Sequence, residues 1–473
     1  MKQNLILKYF TEICQIPHIT GQEKDLALYI ADILREHKCK VQIDKLGNVY
    51  AYKTGKLEKP GICFQAHLDM VGDKIPTSNH NFKTDPINYY EDRGWIKAKE
   101  TTLGADNAAG IAIILALFTD PNVIHGPIEA VFTVQEETTT IGAMKLSNDW
   151  IKSLYLINVD SEDDTEIIVG SGWSCDFSGF LPIQRQARDD ETTDLSVKIM
   201  NGLGGHSATT IHGNHANIIV ETFNILKLVS LKYPLRIIDV KSSTQLNAIP
   251  SYCDVILNIK RSQVNHFKQA FLSQFNLLVS VHQLDDKHLS LVINNVKGRS
   301  DPLTLLDSVK LVNLVCAANH GLNSYNLTFN IPNTSTNLGK LIIGNDEAQL
   351  GWMQRSSNEY ELNKLNTKLN SLFALVNGKC KVTNITAGLT INHDNRLATQ
   401  VQQIAKTIFQ HDMTLQLTHA VLEIGEIAKH YPQVTAISLG PNIKFPHTPR
   451  ETVEINSIFY IFDLLKETLK TIK

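Results

Sequence analysis

Imidazoles and carboxylates, two kinds of side chain that bind metal ions, recur directly after short apolar runs of this sequence. Short apolar runs are typical of buried parallel strands. Seven residues follow such runs: His67, Asp69, Asp106, Glu136, Glu137, Asp160 and His447. In an open α/β sheet, ligands bind beyond the carboxyl ends of the strands, so these side chains should converge on one crevice. Two imidazoles and several carboxylates suit a pair of borderline-hard divalent ions, and the pattern predicts a two-metal hydrolase.

The spacing within two of these motifs indicates a division of roles. His67 and Asp69 are two positions apart in a strand and point to the same side. A carboxylate beside an imidazole can hold the orientation that metal ligation needs. Glu136 and Glu137 are adjacent at a strand end and point in different directions. One of them can therefore bind metal while the other acts as general base on a water molecule.

Each motif taken alone also has a simpler interpretation. Asp106 precedes an apolar helix, as an N-cap residue would. The Glu136–Glu137 pair and Asp160 are typical of solvated surface turns, and His447 is compatible with a structural loop histidine. The metal hypothesis depends on the occurrence of all these motifs together and in order.

The composition argues against several other classes of function. The chain has 473 residues, of which 43% are hydrophobic and 20% charged, which is ample for two or three packed domains. A net charge of -3 offers no basic surface for nucleic acid, and no apolar run is long enough to span a membrane. The start of the chain reads as an amphipathic helix without a signal-peptide cleavage site. Seven cysteines without CxxC spacing favour reduced thiols, and we expect a cytoplasmic protein.

The periodicity of apolar residues predicts an α/β protein that is interrupted by a second domain. Residues 1–186 alternate helical and strand patterns, as in an α/β domain with a mainly parallel or mixed sheet. Residues 187–386 carry separate strand and helix patterns, which indicate an α+β insertion with its own sheet. Residues 387–473 return to helix–strand alternation and carry His447, so this segment is predicted to rejoin the first domain.

Seven stretches, spanning nearly the whole chain, belong to a pattern seen in one family. They are QAHLDMV, GWIKAKETTLGADNAAGIA, VFTVQEETTTIGA, LINVDSEDDTEI, GLGGHSATTIH, LNAIP and GPNIKFPHTPRETVEI. In order and spacing they resemble the bacterial aminoacyl-histidine dipeptidases, also called cytosolic non-specific dipeptidases, of the dinuclear zinc peptidase clan. The resemblance implies a metallopeptidase catalytic domain interrupted by a lid domain, a homodimer, and hydrolysis of unblocked dipeptides, Xaa-His among them. It also implies two divalent ions per subunit, zinc with manganese and cobalt as alternatives.

The resemblance implies a role for each residue of the metal site. Asp106 would bridge the two ions, and the peptide bond between Asp106 and Asn107 would be cis. The metal ligands would be His67 and Asp160 for one ion, Glu137 and His447 for the other, and Asp106 for both. Glu136 would be the general base, and Asp69 would lie behind His67.

Five further residues match the family less specifically. His206 in GGHS resembles a histidine that stabilises the oxyanion, often across the dimer, and its alternative is a loop histidine. Asn247 in LNAIP and Arg355 in MQRSS resemble groups that hold substrate, with a turn asparagine and a solvated arginine as alternatives. Arginine suits the terminal carboxylate of a dipeptide. His419 and Glu423 in THAVLEIGE match a family segment HAGLECG, which would line the substrate pocket or serve packing.

Departures from the family pattern leave the preferred dipeptide open. Val421 and Ile424 replace the first glycine and the cysteine of HAGLECG, residues 393–400 replace a stretch with proline and tryptophan, and residues 170–174 are bulkier than expected. Two other functions compete with the dipeptidase: an amino-acid deacylase or tripeptidase of the same clan, and a non-catalytic peptide-binding relict. The GADN and QEETTTIGA contexts favour the dipeptidase, and a relict would be expected to have lost a ligand or the base.

Overall fold

The protein consists of two compact units, one of which is discontinuous in sequence. The structure is a computed structural model that describes residues 2–392 and 394–473. Unit 1 runs to Ser171 and resumes at Thr386, and unit 2 comprises Gly172–Ile385. An α/β unit therefore contains an inserted unit, as the change of apolar pattern along the chain predicts.

The boundary between the first segment and the insertion lies before the predicted position at residues 186–187. It falls between Ser171 and Gly172 because the strand Trp173–Pro182 pairs antiparallel with the strand Glu347–Ser356, which belongs to unit 2. A strand pattern by itself does not indicate which sheet the strand joins, since partner choice depends on contacts distant in sequence.

Helices and strands alternate through unit 1 and are mixed in unit 2. Up to Ser171 they are α1 (Lys2–Cys14), α2 (Lys24–Glu36), β1 (Lys40–Ile43), β2 (Val49–Lys53), β3 (Ile62–His67), β4 (Tyr89–Asp92), β5 (Trp95–Ala98), α3 (Ala105–Thr119), β6 (Ile128–Thr133), α4 (Glu136–Thr139), α5 (Ile141–Met144), β7 (Tyr155–Val159) and β8 (Glu166–Gly170). Next come β9 (Trp173–Pro182), β10 (Thr192–Met200), α6 (Ile218–Ser230), β11 (Arg236–Ser242), β12 (Cys253–Lys260), the 3-10 turn Arg261–Gln263, α7 (Val264–His282), β13 (Ser290–Val296), α8 (Leu305–Ala317), β14 (Gly321–Asn326), β15 (Ile331–Ile343), β16 (Glu347–Ser356), α9 (Glu359–Leu375) and β17 (Lys379–Thr386). The last segment contains α10 (Arg396–Ile408), β18 (Thr414–Leu417), α11 (Ile424–His430), β19 (Thr435–Leu439), β20 (Ile443–Lys444), β21 (Thr452–Glu454) and α12 (Ile455–Thr471).

The main sheet of unit 1 is mixed and has a parallel centre. Its described strands follow the order β1-β2-β6-β3-β7-β19-β8-β18, and β6, β3, β7 and β19 are mutually parallel neighbours. Every residue of β3 and β6 is buried, as in a sheet with both faces covered. The α/β class and the mixed sheet are confirmed, and the last segment contributes β19 to the centre of this sheet.

Helix α3 is the central helix of unit 1. Its sequence is apolar on all sides and all its residues except Asp106 are buried, which is typical of a helix inside a core. It packs against α1, α12 and β3. Gly104 precedes the helix with a φ of 70°, a left-handed conformation that glycine adopts without strain. The first turn of α3 therefore presents Asp106 where the core opens.

Unit 2 is an α+β unit with its own sheets. Within the described residues, the strands form one sheet in the order β11-β12-β10-β13 and another in the order β14-β15-β16-β9-β17. Burial alternates along β10 and β12, and α6 packs on the side that these strands bury. Helix α9 packs against β9 and β16 in the same way. Across the described helices of both units, none has the length and apolar character needed to cross a membrane.

Candidate metal centre

Three neighbouring parallel strands of unit 1 end at the same edge of the sheet, and each delivers a charged side chain there. His67 is the last residue of β3, and Asp160 follows β7 directly. Glu136 and Glu137 follow β6 after a two-residue turn and open the short helix α4. The expectation that these residues converge depends only on the parallel direction of the strands, which the pairing of β3 with β6 and β7 shows.

Asp106 lies between the two histidines of the predicted ligand set. Its Oδ1 lies 2.8 Å from Nε2 of His67, and its Oδ2 lies 3.1 Å from Nε2 of His447. The peptide bond between Asp106 and Asn107 is cis, as the resemblance implies. Each oxygen of one carboxylate thus faces a different imidazole, which is the arrangement that a bridging ligand needs.

A second carboxylate accompanies each histidine. Nε2 of His67 lies 3.3 Å from Oδ1 of Asp160, and Nε2 of His447 lies 3.0 Å from Oε2 of Glu137. The cluster therefore consists of two histidine–carboxylate pairs with Asp106 between them. The structure brings together all five residues that the resemblance implies as ligands.

Asp69 orients both His67 and the turn that carries the two glutamates. Nδ1 of His67 lies 2.9 Å from the backbone oxygen of Asp69 and 3.5 Å from its Oδ1, so Nδ1 carries the proton and Nε2 faces the carboxylates. The Asp69 carboxylate accepts hydrogen bonds from the backbone N–H groups of Glu136 (2.9 Å) and Glu137 (3.2 Å) and from the Thr20 hydroxyl (2.8 Å). One buried carboxylate thereby holds an imidazole and a neighbouring strand end in a fixed relation.

The pKa values of the two histidines reflect the negative charge around them. Burial alone would lower the pKa of His67, but the carboxylates of Asp160 and Asp106 raise it well above its usual value. Hydrogen bonds with Asp106 and Glu137 raise the pKa of His447 to about 11. Burial opposes ionisation of Asp106, yet its hydrogen bonds with both histidines hold its pKa well below the usual value. The cluster therefore stabilises positive charge on either side of Asp106.

The donor set fits a pair of divalent cations. Ligand atoms of His67, Asp106 and Glu137 lie within 4.8 Å of one another. Oε1 of Glu137 is buried, and no described residue forms a hydrogen bond with it. A buried carboxylate oxygen without a partner is costly unless a cation or water satisfies it. Nε2 of a neutral His67 would likewise point its lone pair at two carboxylates, a repulsive contact that a cation removes. Imidazole and carboxylate donors suit zinc, manganese and cobalt.

Glu136 lies beside this cluster and differs from Glu137 in its surroundings. Its side chain is half-buried, and burial raises the pKa of its carboxyl well above the usual value, with Asp160 and Glu137 adding to the effect. Glu137 instead contacts His447. The adjacent glutamates thus point to different partners, as the residue pattern predicts.

The three lid residues of the sequence analysis lie around Ser207 in unit 2. The Ser207 backbone N–H donates to the carbonyl of Asn247 (2.8 Å), and the Ser207 hydroxyl accepts from Nε of Arg355 (3.5 Å). Arg355 is only 6% exposed, so its interpretation as a solvated arginine is wrong, and burial lowers its pKa to about 10. The Ala208 N–H donates to Nδ1 of His206 (3.3 Å), which leaves the proton of a neutral ring on Nε2.

His419 and Glu423 are both buried in unit 1. Glu423 has no exposed surface, and its Oε2 accepts hydrogen bonds from the Gln65 amide and the Thr133 hydroxyl, each at 2.6 Å. Burial raises the pKa of Glu423 to about 8. His419 retains 6% of its surface. Glu423 is therefore an internal carboxylate beneath the strand ends.

The departures from the family pattern fall on different kinds of position. Ile424 is fully buried in an apolar cluster with Leu389 and Ile427, so this substitution changes internal packing. Trp173, in the bulkier stretch, is buried at the start of β9. His393 lies outside the described residues. Beyond it, Asn395 caps α10 by accepting a hydrogen bond from the backbone of Ala398 (2.9 Å).

Sequence reasoning missed several residues that hold this centre. Glu451 accepts hydrogen bonds from the backbone N–H groups of Leu103 (2.8 Å), Gly104 (2.9 Å) and Asp106 (3.2 Å), and so anchors the loop before α3. It lies four positions after His447, in a stretch that matches the family, so its proximity to a ligand was an available signal. Thr20, which contacts Asp69, stands in no motif and offered no such signal.

The chain is similar to known peptidases over nearly its whole length. Peptidase family M20/M25/M40 matches residues 63–471. The cytosol non-specific dipeptidase of Escherichia coli (strain K12) is 31% identical over 469 residues, which cover 98% of this chain and 96% of that protein. The crystal structure of aminoacylhistidine dipeptidase from Vibrio alginolyticus has a TM-score of 0.89 and 28% identity, covering 99% of this chain and 96% of that chain. A tripeptidase from Staphylococcus aureus, with a TM-score of 0.59 and 18% identity over 99% of this chain and 98% of that chain, shares the fold.

Proposed function

Because the chain belongs to peptidase family M20/M25/M40, we propose that it is a metal-dependent dipeptidase that hydrolyses the peptide bond of unblocked dipeptides, Xaa-His among them. The relatives from Escherichia coli and Vibrio alginolyticus, which are dipeptidases by name and match nearly the whole chain, support this substrate class. One observation carries the proposal: the two oxygens of Asp106 face the imidazoles of His67 and His447. A carboxylate so placed can be shared by two cations.

Five side chains would hold the two ions. His67 and Asp160 would bind one, Glu137 and His447 would bind the other, and Asp106 would bind both. When bound, such a pair supplies Lewis acidity that acidifies a water molecule and polarises the scissile carbonyl. We propose zinc as the metal, with manganese and cobalt as alternatives that the same donors accept.

Glu136 is the proposed general base, and Asp69 is the residue that orients it. The Glu136 carboxylate would take a proton from the attacking water, and its raised pKa suits proton transfer near neutral pH. The hydrogen bond from the Glu136 backbone to Asp69 keeps this glutamate in register with His67, which Asp69 also contacts. Base and ligand would therefore keep their relative positions during turnover.

Unit 2 is the proposed lid and dimerisation unit, and three of its residues would contact the substrate. The planar guanidinium of Arg355 suits a free carboxylate because it can form two parallel hydrogen bonds. Nε2 of His206 carries the proton in the neutral ring and would donate to the developing oxyanion. Asn247 would help to hold the substrate. We propose a homodimer that works in the cytoplasm, as the name of the Escherichia coli relative says of that protein.

A substrate panel tests the proposed function. With enzyme reconstituted in zinc, manganese or cobalt, we expect hydrolysis of unblocked dipeptides, because recognition of both ends limits the substrate to two residues. N-acylated amino acids, C-terminally amidated dipeptides and tripeptides are expected to react much more slowly. The measurement is the initial rate of amino-acid release for each substrate. Faster release from acylated amino acids would indicate a deacylase, faster release from tripeptides a tripeptidase, and no release from any substrate a relict.

Substitution of Arg355 tests recognition of the carboxylate. Arg355→Ala should raise KM for dipeptides about 10-fold or more, because hydrogen bonds to charged groups contribute ~1.5–3 kcal/mol. It should also reduce discrimination against amidated dipeptides. His206→Ala should instead lower kcat by roughly 10²–10³, since its donor would act on transition-state charge. Steady-state kinetics with free and amidated dipeptides separate the two effects.

Arg185→Ala provides the control for Arg355→Ala. Arg185 is also an arginine of unit 2, but it donates to the backbone carbonyls of Ile238, Asp301 and Gly344 and so serves structure. This variant should lose stability without losing discrimination against the amide. If Arg355→Ala discriminates against amidated substrate as strongly as wild type, Arg355 does not bind the carboxylate.

A further inference from the structure

A row of buried polar side chains crosses the sheet of unit 1 one step below the metal centre. Gln65 and Asn158 are register partners on β3 and β7, and Asn158 and Ser438 are register partners on β7 and β19. Register partners on parallel strands lie side by side on one face of the sheet. All three are fully buried, in a sheet whose other central positions are mostly apolar. A continuous polar row inside a core requires an explanation, because each unsatisfied member would be destabilising.

The hydrogen bonds of this row run in a single direction. Ser438 donates to Oδ1 of Asn158 (2.5 Å), and it can therefore accept from the Ser161 hydroxyl, 2.8 Å away. The Asn158 amide donates to Oε1 of Gln65 (2.6 Å), and the Gln65 amide donates to Oε2 of Glu423 (2.6 Å). Every donor points toward Glu423, so the carboxyl group of Glu423 is the terminal acceptor of the row.

Glu423 also collects a hydrogen bond from the neighbouring strand on the other side. The Thr133 hydroxyl, at the end of β6, donates to the same Oε2 at 2.6 Å, and the Gln65 amide lies 3.1 Å from that hydroxyl. One oxygen atom thus joins β6 to β3, and the row continues to β7 and β19. Hydrogen-bonded chains of this kind polarise one another and favour a single arrangement of their members.

Each member of the row is close in sequence to a residue of the metal centre. Gln65 is two positions before His67 on β3, and Asn158 is two positions before Asp160 at the end of β7. Thr133 is three positions before Glu136, and Ser161 directly follows Asp160. A shift of one strand relative to its neighbour would therefore break the row and move a ligand at the same time.

We propose that Glu423 is a positioning residue, not a substrate contact, and that it anchors this row so that the strand ends hold His67, Asp160 and the Glu136–Glu137 turn at the spacing that two metal ions need. The inference deepens the proposed function and rests on it. It follows from the connectivity of the row and from the complete burial of Glu423, which leaves no surface for a peptide. The acceptor oxygen, and not the negative charge, is the feature that the row requires.

Metal affinity of the full-length protein tests the inference without relying on activity. Glu423→Met keeps the length of the side chain but removes the acceptor, so the Gln65 amide and the Thr133 hydroxyl lose their partner. We expect at least about 10-fold weaker binding of Zn²⁺, measured by competition with a chromophoric chelator, since loss of residues that support metal ligands typically costs 10–100-fold in affinity. Glu423→Gln retains an acceptor oxygen and should bind Zn²⁺ with nearly wild-type affinity.

Glu129→Met is the matched control for the loss of a buried carboxylate. Glu129 is 1% exposed, lies on β6 as Thr133 does, and accepts hydrogen bonds from the Tyr50 hydroxyl and from the backbone of Lys152 and Ser153. It should lower the thermal stability and leave the affinity for Zn²⁺ unchanged. If Glu423→Met does not fold, Ser438→Ala, which removes a donor from the other end of the row, should weaken Zn²⁺ binding in its place.

Three outcomes would overturn the positioning role. They are wild-type Zn²⁺ affinity in the folded Glu423→Met variant or its Ser438→Ala substitute, an equal loss of affinity in Glu129→Met, and failure of Glu423→Gln to recover affinity. These results differ from failure of the proposed function. In that case the wild-type protein itself would bind no Zn²⁺ or would release no amino acids from dipeptides.

Discussion

Removal of divalent metal is expected to abolish dipeptide hydrolysis, and addition of zinc, manganese or cobalt is expected to restore it. The two histidine–carboxylate pairs share Asp106, and the chain places no lysine or arginine in contact with these carboxylates among the described ion pairs. Without cations, the cluster retains negative charge that only protonation of the histidines offsets. The measurement is the rate of dipeptide hydrolysis after treatment with a chelator, with elemental analysis of the residual metal.

Chelator saturated beforehand with calcium serves as the control for direct inhibition by the chelator itself. Reconstitution should require two ions per chain for full activity, because the two pairs flank one bridging carboxylate. A crystal of the reconstituted protein should show two anomalous peaks, one on each side of Asp106. Full activity after verified removal of all metal would contradict the proposed mechanism.

Glu136→Gln is expected to lower kcat by ~10²–10⁴, the usual contribution of a general base. The substitution preserves the shape of the side chain and the backbone hydrogen bond to Asp69, but the amide cannot take a proton from water. Bound metal should remain close to the wild-type amount, since Glu136 is not one of the five proposed ligands. Turnover and metal content are measured on the same preparation.

Glu137→Gln is the matched comparison because the same chemical change is made one residue further along. Glu137 contacts His447, so its substitution should weaken one of the two metal sites and lower the metal content. Activity of Glu137→Gln should therefore recover in part at high metal concentration, whereas that of Glu136→Gln should not. The opposite pattern would show that the two glutamates have exchanged roles.

Much of the centre was predictable because its residues obey a local rule. His67 and Asp160 stand at the ends of apolar runs, and parallel strands bring their carboxyl ends to one edge. Residue types then restrict the chemistry, since imidazoles and carboxylates together suit divalent ions. The insertion was also visible in sequence, because the apolar pattern changes from an α/β order to separate strands. Its first boundary was less accurate, since β9 pairs with β16, far away in the chain.

The sequence by itself thus determined the residue types, their positions at strand ends and the α/β class, because these depend on side-chain periodicity and strand direction. Only the tertiary structure decided how the side chains meet. Asp106 and His447 are 341 positions apart, and their contact depends on the packing of α3 and on the loop before β21. The burial of Glu423 and Arg355 was equally unpredictable, since a charged residue type favours exposure unless distant partners satisfy it. Such partners are set by strand register and packing, which no local pattern of residues encodes.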